Sequence, residues 1–325
     1  MSTTKNDQAF DTKLKLSYFA PKYWGSWLGI LFLGILAFIP SVIRDAFATL
    51  LAKPFSRFDI MFKKRAILNF RYAFPELSDE EHNKMYYDYI RLGAKAILGY
   101  GETFFRSKKF ISKRFLVQGQ EYLDEALSLN RPIIFMAPHT WTIDRGGLYL
   151  SASGLTMCTM MHTSKNEVFD WFMNSMRLKY GGKVFERSSG IKNIIRALKG
   201  GYHSFFLPDQ DLEDATKVFV KLFASEKSTL TVLPKLARLT NAVIVPMFCC
   251  YNEDKRRYEV VFERYYQDYP SGDITKDVRT MNESIERLIK TREKQYMWFL
   301  KIYQTRPDGT QDEYDRKSVE VRYPK

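Results

Sequence analysis

Of the four histidines in the 325 residues, at 82, 139, 162 and 203, one stands out by its neighbours. His139 follows the apolar run Ile133-Ile134-Phe135-Met136-Ala137 and Pro138, in the stretch A-P-H-T-W-T-I-D-R-G-G, with Asp144 five residues on. In open α/β sheets ligands bind beyond the carboxyl ends of strands, which is where this order places the imidazole. A carboxylate on one ring nitrogen fixes the tautomer and steadies the imidazolium, leaving the other nitrogen to take a proton. Within one continuous helix a five-residue offset turns about 500°, which leaves the two side chains roughly 140° apart. The pair therefore meets only if His139 lies in the turn before a helix and Asp144 in its first turns. There the helix dipole favours the ionised carboxylate.

No G-x-S-x-G elbow supplies a serine, which disfavours a hydrolase that forms an acyl-enzyme on that pattern. A histidine base without a protein nucleophile implies that the substrate brings the hydroxyl, and suggests direct transfer of an acyl or similar group. Metal is not expected: H-x₄-D lacks the i, i+4 ligand spacing of zinc helices. Nor do Cys158, Cys249 and Cys250 follow a metal-binding spacing. Cys249 and Cys250 are adjacent and would point to opposite faces of a strand, so the cysteines read as free thiols in a reducing compartment. His162 and His203 read as structural residues.

The elements that must position these groups follow from periodicity. Residues 56–74 and 78–105 carry helical apolar spacing, the second opened by Ser78 and Glu81 in a capping-box pattern. Strands are expected at 115–117, 133–137, 155–161, 184–185, 204–207, 242–248 and 258–263. Helices are expected at 121–129, 166–180, 189–199, 229–239 and 277–292, several closed by glycine. Strands alternating with helices predict an α/β fold, a central mostly parallel or mixed sheet flanked by helices.

Ahead of that domain, Trp24 to Ile43 run for twenty residues without a charge. At about 1.5 Å per residue such a helix spans roughly 30 Å of hydrocarbon, so an N-terminal membrane-anchoring helix is expected over 23–43. Pro40 and three glycines leave a kinked or partly interfacial helix as the alternative. Arg44, Lys53, Arg57, Lys63, Lys64, Arg65 and Arg71 follow it, more cations than precede it, which places the main domain on the cytoplasmic side. The organisation expected is a flanking segment 1–22, the anchor, a helical membrane-proximal region 44–113, the α/β domain 114–306 and a polar tail 307–325. Composition agrees with a folded protein seeking an anionic partner: 45% apolar, 27% charged, and 50 Lys+Arg against 37 Asp+Glu, a formal charge of +13. Basic clusters beside an apolar anchor favour an anionic membrane, and no zinc-finger or RNP-type stretch supports nucleic acid.

An apolar anchor, a strand and H-x₄-D together resemble the lysophospholipid/glycerolipid acyltransferase superfamily. The wider chain is similar to the late acyltransferases of lipid A biosynthesis, which add secondary acyl chains to Kdo2-lipid A. The likeness rests on H-T-W-T-I-D at 139–144, H-T-S-K-N-E-V-F-D at 162–170, M-R-L-K-Y-G-G at 176–182 and E-R-S-S-G-I-K at 186–192. L-P-D-Q-D at 207–211, F-V-K-L-F-A at 219–224 and Q-Y-M-W-F-L-K at 295–301 complete it. Asp144 where the lauroyl-type enzymes usually carry Glu, and Met161-His162-Thr163 where they carry Y-R-P, resemble the myristoyl-type branch.

The resemblance implies an acyl donor on the phosphopantetheine of acyl carrier protein, a Kdo2-lipid A precursor as acceptor, and a bacterial inner-membrane enzyme without a resident cofactor. It also implies His139 as general base, Asp144 as its orienting carboxylate, and functional roles for Arg177 and Asp209. Arg177 would bind a lipid phosphate or stabilise the oxyanion, and Asp209 would hold a sugar hydroxyl or an arginine; Arg187 and Lys165 are further candidates for phosphate contact. Two other readings stay open: an acyltransferase of the superfamily acting on another glycerolipid or glycolipid, and a membrane-anchored binding protein without catalysis.

Overall fold

The computed structural model describes residues 9–58, 60–212, 216–308 and Tyr314. Six helices come first: α1 (Trp24–Leu36), α2 (Ser41–Phe55), α3 (Met61–Ala73), α4 (Asp79–Leu98), α5 (Gly101–Phe105) and α6 (Lys108–Lys113). The chain then alternates through β1 (Phe115–Gln118), α7 (Gln120–Ser128), β2 (Ile133–Met136), α8 (Ile143–Ala152) and β3 (Met157–Met161). It continues through α9 (Glu167–Arg177), β4 (Lys183–Glu186), α10 (Lys192–Lys199) and β5 (His203–Phe206). A hairpin of β6 (Lys217–Leu222) and β7 (Ser225–Leu230) leads to α11 (Val232–Thr240), β8 (Val243–Asn252), β9 (Arg257–Phe262) and α12 (Ile274–Lys290).

Seven strands form one sheet in the order β1-β9-β8-β2-β5-β3-β4. Every neighbouring pair is parallel except β8 with β9, so the sheet is mixed but mostly parallel. β2 lies at its centre, between β8 and β5, and all four of its residues are buried. Alternation along the strands divides the core between the faces. Ile133, Phe135, Val243 and Val245 pack with Leu123, Leu148 and Leu150 on one side. Ile134, Met136 and Ile244 pack with Ile194, Leu233, Leu236 and Ile285 on the other. The α/β architecture is the one expected.

The capping box at the start of α4 forms as read: Ser78 accepts from the Glu81 amide, and the Glu81 carboxylate accepts from the Ser78 amide at 2.8 Å. The helix expected over 78–105 is interrupted after Leu98, and α5 begins at Gly101. A side chain at Gly101 would meet the Leu33 carbonyl oxygen at 2.0 Å, so its absence lets α5 lie directly against α1.

The membrane-spanning helix is not formed. Among the described residues no helix is long and apolar enough to cross a membrane. The uncharged run is divided: α1 ends at Leu36, and Pro40, with φ −53° and a non-helical ψ of 138°, stands as the cap before α2. Thirteen residues of α1 rise only about 20 Å, short of the hydrocarbon thickness. Arg44, expected among the flanking cytoplasmic charges, is instead buried in an ion pair with Glu102 at 2.9 Å. The expected polar tail lies mostly outside the described residues. Within it Tyr314 is buried, its hydroxyl donating to Asn69 and accepting from the Tyr303 amide.

Candidate active site

His139 stands in the loop that leaves the carboxyl end of β2, and that loop is pinned from several sides. The Thr140 hydroxyl donates to the Cys249 carbonyl at 2.6 Å. The Trp141 amide donates to the Gln295 carbonyl, and the His139 carbonyl accepts from the Met297 amide at 2.9 Å. The Q-Y-M segment at 295–297 thus serves as a backbone brace for the loop, a role its residue types did not disclose.

The carboxylate on the imidazole is Asp209. Its Oδ1 lies 2.5 Å from His139 Nδ1, and its Oδ2 accepts from the His139 backbone amide at 2.7 Å. Asp209 follows β5, the strand beside β2, so neighbouring parallel strands deliver the two residues to the same end of the sheet. Burial alone would push the Asp209 carboxyl up. The His139 charge and the two hydrogen bonds from His139 outweigh it and hold the carboxyl below its usual range. With Nδ1 committed to the carboxylate, Nε2 is the nitrogen left to exchange a proton with a ligand.

Asp144, expected to orient His139, is instead engaged elsewhere. In the first turn of α8 it faces α9: Oδ1 accepts from Arg177 Nε at 2.6 Å, and Oδ2 accepts from the Tyr100 hydroxyl. Burial again opposes ionisation, but the charge and hydrogen bonds of Arg177, aided by Tyr100 and Arg145, keep the carboxyl below its usual range. Arg177 ends α9, whose start is capped by the Asn166 side chain accepting from the Phe169 amide. Its Nη1 also approaches Met161 Sδ at 2.8 Å. Arg145 is fully buried, its guanidinium over the Tyr100 and Tyr258 rings at 4.9 and 4.3 Å. Tyr100 and Arg145 belong to the site's support and were not singled out by the sequence. Arg145 stood beside Asp144, but an arginine's burial leaves no trace in its residue type.

His139, Asp144, Arg177 and Arg187 all line one cavity of about 470 Å³. Arg187 donates to Gln210 at its edge. Asp209 lies behind His139 rather than on the wall, and Lys165 is exposed and outside the lining. His162 is at the rim, 83% exposed, 3.6 Å from Glu186. His203 is structural as expected: its Nδ1 accepts from the Ile133 amide. Most of the remaining wall is apolar, from Ile143, Leu148, Met157, Phe205, Ile194 and Val232. Among the described residues no cluster of three or more His, Cys, Asp or Glu is placed to hold a metal ion.

A histidine backed by a buried carboxylate at a strand end, opening onto an apolar cavity, is an arrangement for proton transfer beside a hydrocarbon chain. Comparison with known proteins agrees. Residues 11–305 match the family model for bacterial lipid A biosynthesis acyltransferases. A lipid A biosynthesis acyltransferase of Haemophilus influenzae is 35% identical over 306 residues, 94% of this chain and 95% of that protein. The lipid A biosynthesis myristoyltransferase of Escherichia coli is 31% identical over 319 residues, 98% of this chain and 99% of that protein. The lauroyltransferase of the same organism is 27% identical over 93% of this chain and 98% of its own length. The chain belongs to the family of bacterial lipid A biosynthesis acyltransferases, and it is an enzyme of the acyltransferase class.

Proposed function

We propose that the protein transfers a fatty acyl chain, myristoyl in type, from an acyl carrier protein thioester to a hydroxyl on a primary acyl chain of Kdo2-lipid A. The observation that carries this reading is His139, held through Nδ1 by Asp209, at the wall of an apolar cavity. Nε2 takes the acceptor's hydroxyl proton as its oxygen attacks the thioester carbonyl. The tetrahedral intermediate collapses, the carbon–sulfur bond breaks, and the thiolate leaves with the proton from the imidazolium. Asp209 stabilises the positive ring between the two transfers.

Asp144 is the counter-ion of Arg177 in this scheme. It holds the guanidinium at the cavity wall, where a lipid phosphate or the developing oxyanion would meet it. Arg187 is a second cation for the acceptor's phosphate, and Lys165, exposed and outside the cavity lining, is a further candidate for phosphate contact. The phosphopantetheine thioester enters as substrate, so the reaction calls for no resident cofactor. The myristoyl reading is supported by Asp144, by Met161-His162-Thr163 and by the likeness to a protein named a myristoyltransferase.

The enzyme would work on the cytoplasmic leaflet of the bacterial inner membrane, with α1 and α2 lying in its interface. Trp24, Leu28, Leu31, Phe32 and Ile35 make an exposed apolar stripe along α1, and Val42, Ile43, Phe47, Leu50 and Leu51 another along α2. The +13 charge suits both anionic lipid and an acidic carrier protein.

The deciding experiment incubates the purified full chain with Kdo2-lipid A acceptors, or with glycerolipid acceptors, and a series of acyl carrier protein thioesters, and reads products by mass spectrometry. Acylation of the lipid A precursor, abolished by His139→Ala, is the expected result. Acylation of glycerolipid alone would overturn the acceptor. Activity untouched by His139→Ala would overturn the mechanism.

A further inference from the structure

The helices of the α/β domain bury their apolar faces on the sheet, with one exception. Leu123 of α7 and Leu148 of α8 belong to the core on one face. Ile194 of α10, Leu236 of α11 and Ile285 of α12 belong to the core on the other. In α9, by contrast, Phe172, Met173 and Met176 pack with Tyr18, Tyr23 and Ile30. Among the described residues that cluster holds no strand residue. The helix that ends on Arg177 therefore takes its core from the N-terminal segment and α1.

Polar contacts repeat the pattern at both ends of α9. At its start the cap residue Asn166 donates to the Ser26 hydroxyl at 2.8 Å, and Glu167 accepts from the Tyr23 hydroxyl at 2.7 Å. Asn166 also caps α9 by accepting from the Phe169 amide at 3.0 Å, so one side chain joins the two helices. Just past the end of α9, Lys179 donates to the carbonyls of Thr103, Phe104 and Arg106 at 3.0, 2.9 and 2.6 Å, where α5 closes. α5 in turn lies on α1 at Gly101. Trp27 and Ile30 of α1, with its cap residue Tyr23, pack toward α9, while Leu28, Leu31 and Ile35 are exposed. The eleven residues of α9 rise about 15 Å from this contact to Arg177. Backbone hydrogen bonds at every turn keep that length fixed, so a shift at Asn166 is carried to the guanidinium.

We propose that α1 belongs to the framework of the active site: Tyr23 and Ser26 are positioning residues that, through Glu167 and Asn166, set where Arg177 stands on the cavity wall. Turnover then depends on α1 even where no membrane is involved. What Arg177 does on that wall, meeting a phosphate or the oxyanion, rests on the acyl-transfer reading. Misplacing such a group by about 1 Å can cost about 10²-fold in rate.

The test uses the full chain, an acyl carrier protein thioester, and Kdo2-lipid A dispersed in detergent micelles, so that docking on a bilayer is not limiting. Tyr23→Phe with Ser26→Ala removes two hydroxyls and no apolar packing. The pair is expected to lower kcat about ten- to a hundred-fold with vesicle binding unchanged. Glu167→Gln, which can still accept from Tyr23, should lose less than Glu167→Ala. In an Arg177→Met background the pair should cost less than about two-fold more, because residues that act through one group are not additive. Amide hydrogen exchange reads the coupling without turnover: protection across α9 should drop at least about ten-fold in the pair variant, and that of α10 should hold. Thermal unfolding identifies a pair variant that fails to fold, and Ser26→Ala alone then carries the same cycle.

Unchanged kcat in the folded variants would overturn the proposal. So would an undiminished further loss in the Arg177→Met background. A loss seen only with acceptor in vesicles would also overturn it, confining α1 to docking. No transfer by the unaltered enzyme, with the exchange result as expected, would instead count against the proposed reaction.

Discussion

Asp209 grips His139 with both carboxylate oxygens, one on the ring nitrogen at 2.5 Å and one on the residue's own backbone amide at 2.7 Å. A single side chain thus sets the position of the loop and the orientation of the ring. Asp209→Asn can keep one polar contact but loses the charge that steadies the imidazolium. Turnover is expected to fall about 10²–10⁴-fold, approaching the loss in His139→Ala. Asp144 is bonded to Arg177 and Tyr100 rather than to the ring, so Asp144→Asn should cost less turnover than Asp209→Asn. Steady-state rates of the two variants check both statements. A larger loss in Asp144→Asn than in Asp209→Asn would reverse the assignment.

The second pair is a partly buried ion pair. Arg177 and Asp144 are 20% and 17% exposed, and removing one partner strands the other charge. Arg177→Met is expected to cost about 3 kcal/mol of stability, and the double variant with Asp144→Asn less than the sum by about 1–3 kcal/mol. Urea unfolding of the four proteins measures the cycle. The same carboxylates govern acid behaviour. Asp144 and Asp209 have folded values below the ordinary 3.8. The stability they add is therefore complete above that pH and is lost as pH falls through the lower folded values. Asp144→Asn and Asp209→Asn should each flatten that acid limb.

These assignments also show where residue patterns are informative. The β2 strand was plain in five consecutive apolar residues, and the α4 start in Ser78 and Glu81, because both signals are local. The orienting carboxylate was not. Asp144 is near in sequence, whereas Asp209 is seventy residues away and reaches His139 only because β5 lies beside β2 in the sheet. The β6–β7 hairpin escaped for a different reason. Lys227, Ser228 and Thr229 are fully buried polar residues in β7, so no apolar alternation marks it, and its last residues read as the helix that follows. The apolar run at 24–43 reads as one span because hydropathy does not register that Pro40 caps a second helix or that Gly101 seats α1 on α5.

Lys227, in β7, is a lysine whose charge is held inside the fold. Its ammonium is fully buried, donates to the Ser228 carbonyl at 3.1 Å, and feels the opposing charges of Asp209 and Asp211. Burial prevails and pushes it down to about 8. Between 8 and the ordinary 10.5 the unfolded chain holds more protons than the folded one, so this lysine makes stability rise with pH across that window. Below 8 it imposes its full penalty. Lys227→Met is expected to stabilise the protein by roughly 2 kcal/mol near neutrality, the gain closing as pH passes 10.5. Denaturant melts at several pH values read this out; an advantage that grew with pH would contradict it.

The proposed docking of α1 and α2 on a membrane surface makes predictions that a spanning helix does not. Leu28 and Leu31 are 67% and 60% exposed on the α1 stripe, and neither contributes to a buried core cluster. Their loss should therefore spare the fold. Burying a leucine side chain is worth about 1.5–3 kcal/mol, so each Leu→Glu change is expected to weaken vesicle binding about ten-fold, and the pair about a hundred-fold. Arg106, stacked over Phe38 at 4.7 Å, places a cation at the edge of the same surface. Binding should accordingly be stronger to vesicles with anionic lipid and fall with added salt. Co-sedimentation measures all three effects. An in-plane pair of helices should also be released by alkaline carbonate, and retention of the protein in the membrane fraction after that treatment would count against interfacial docking.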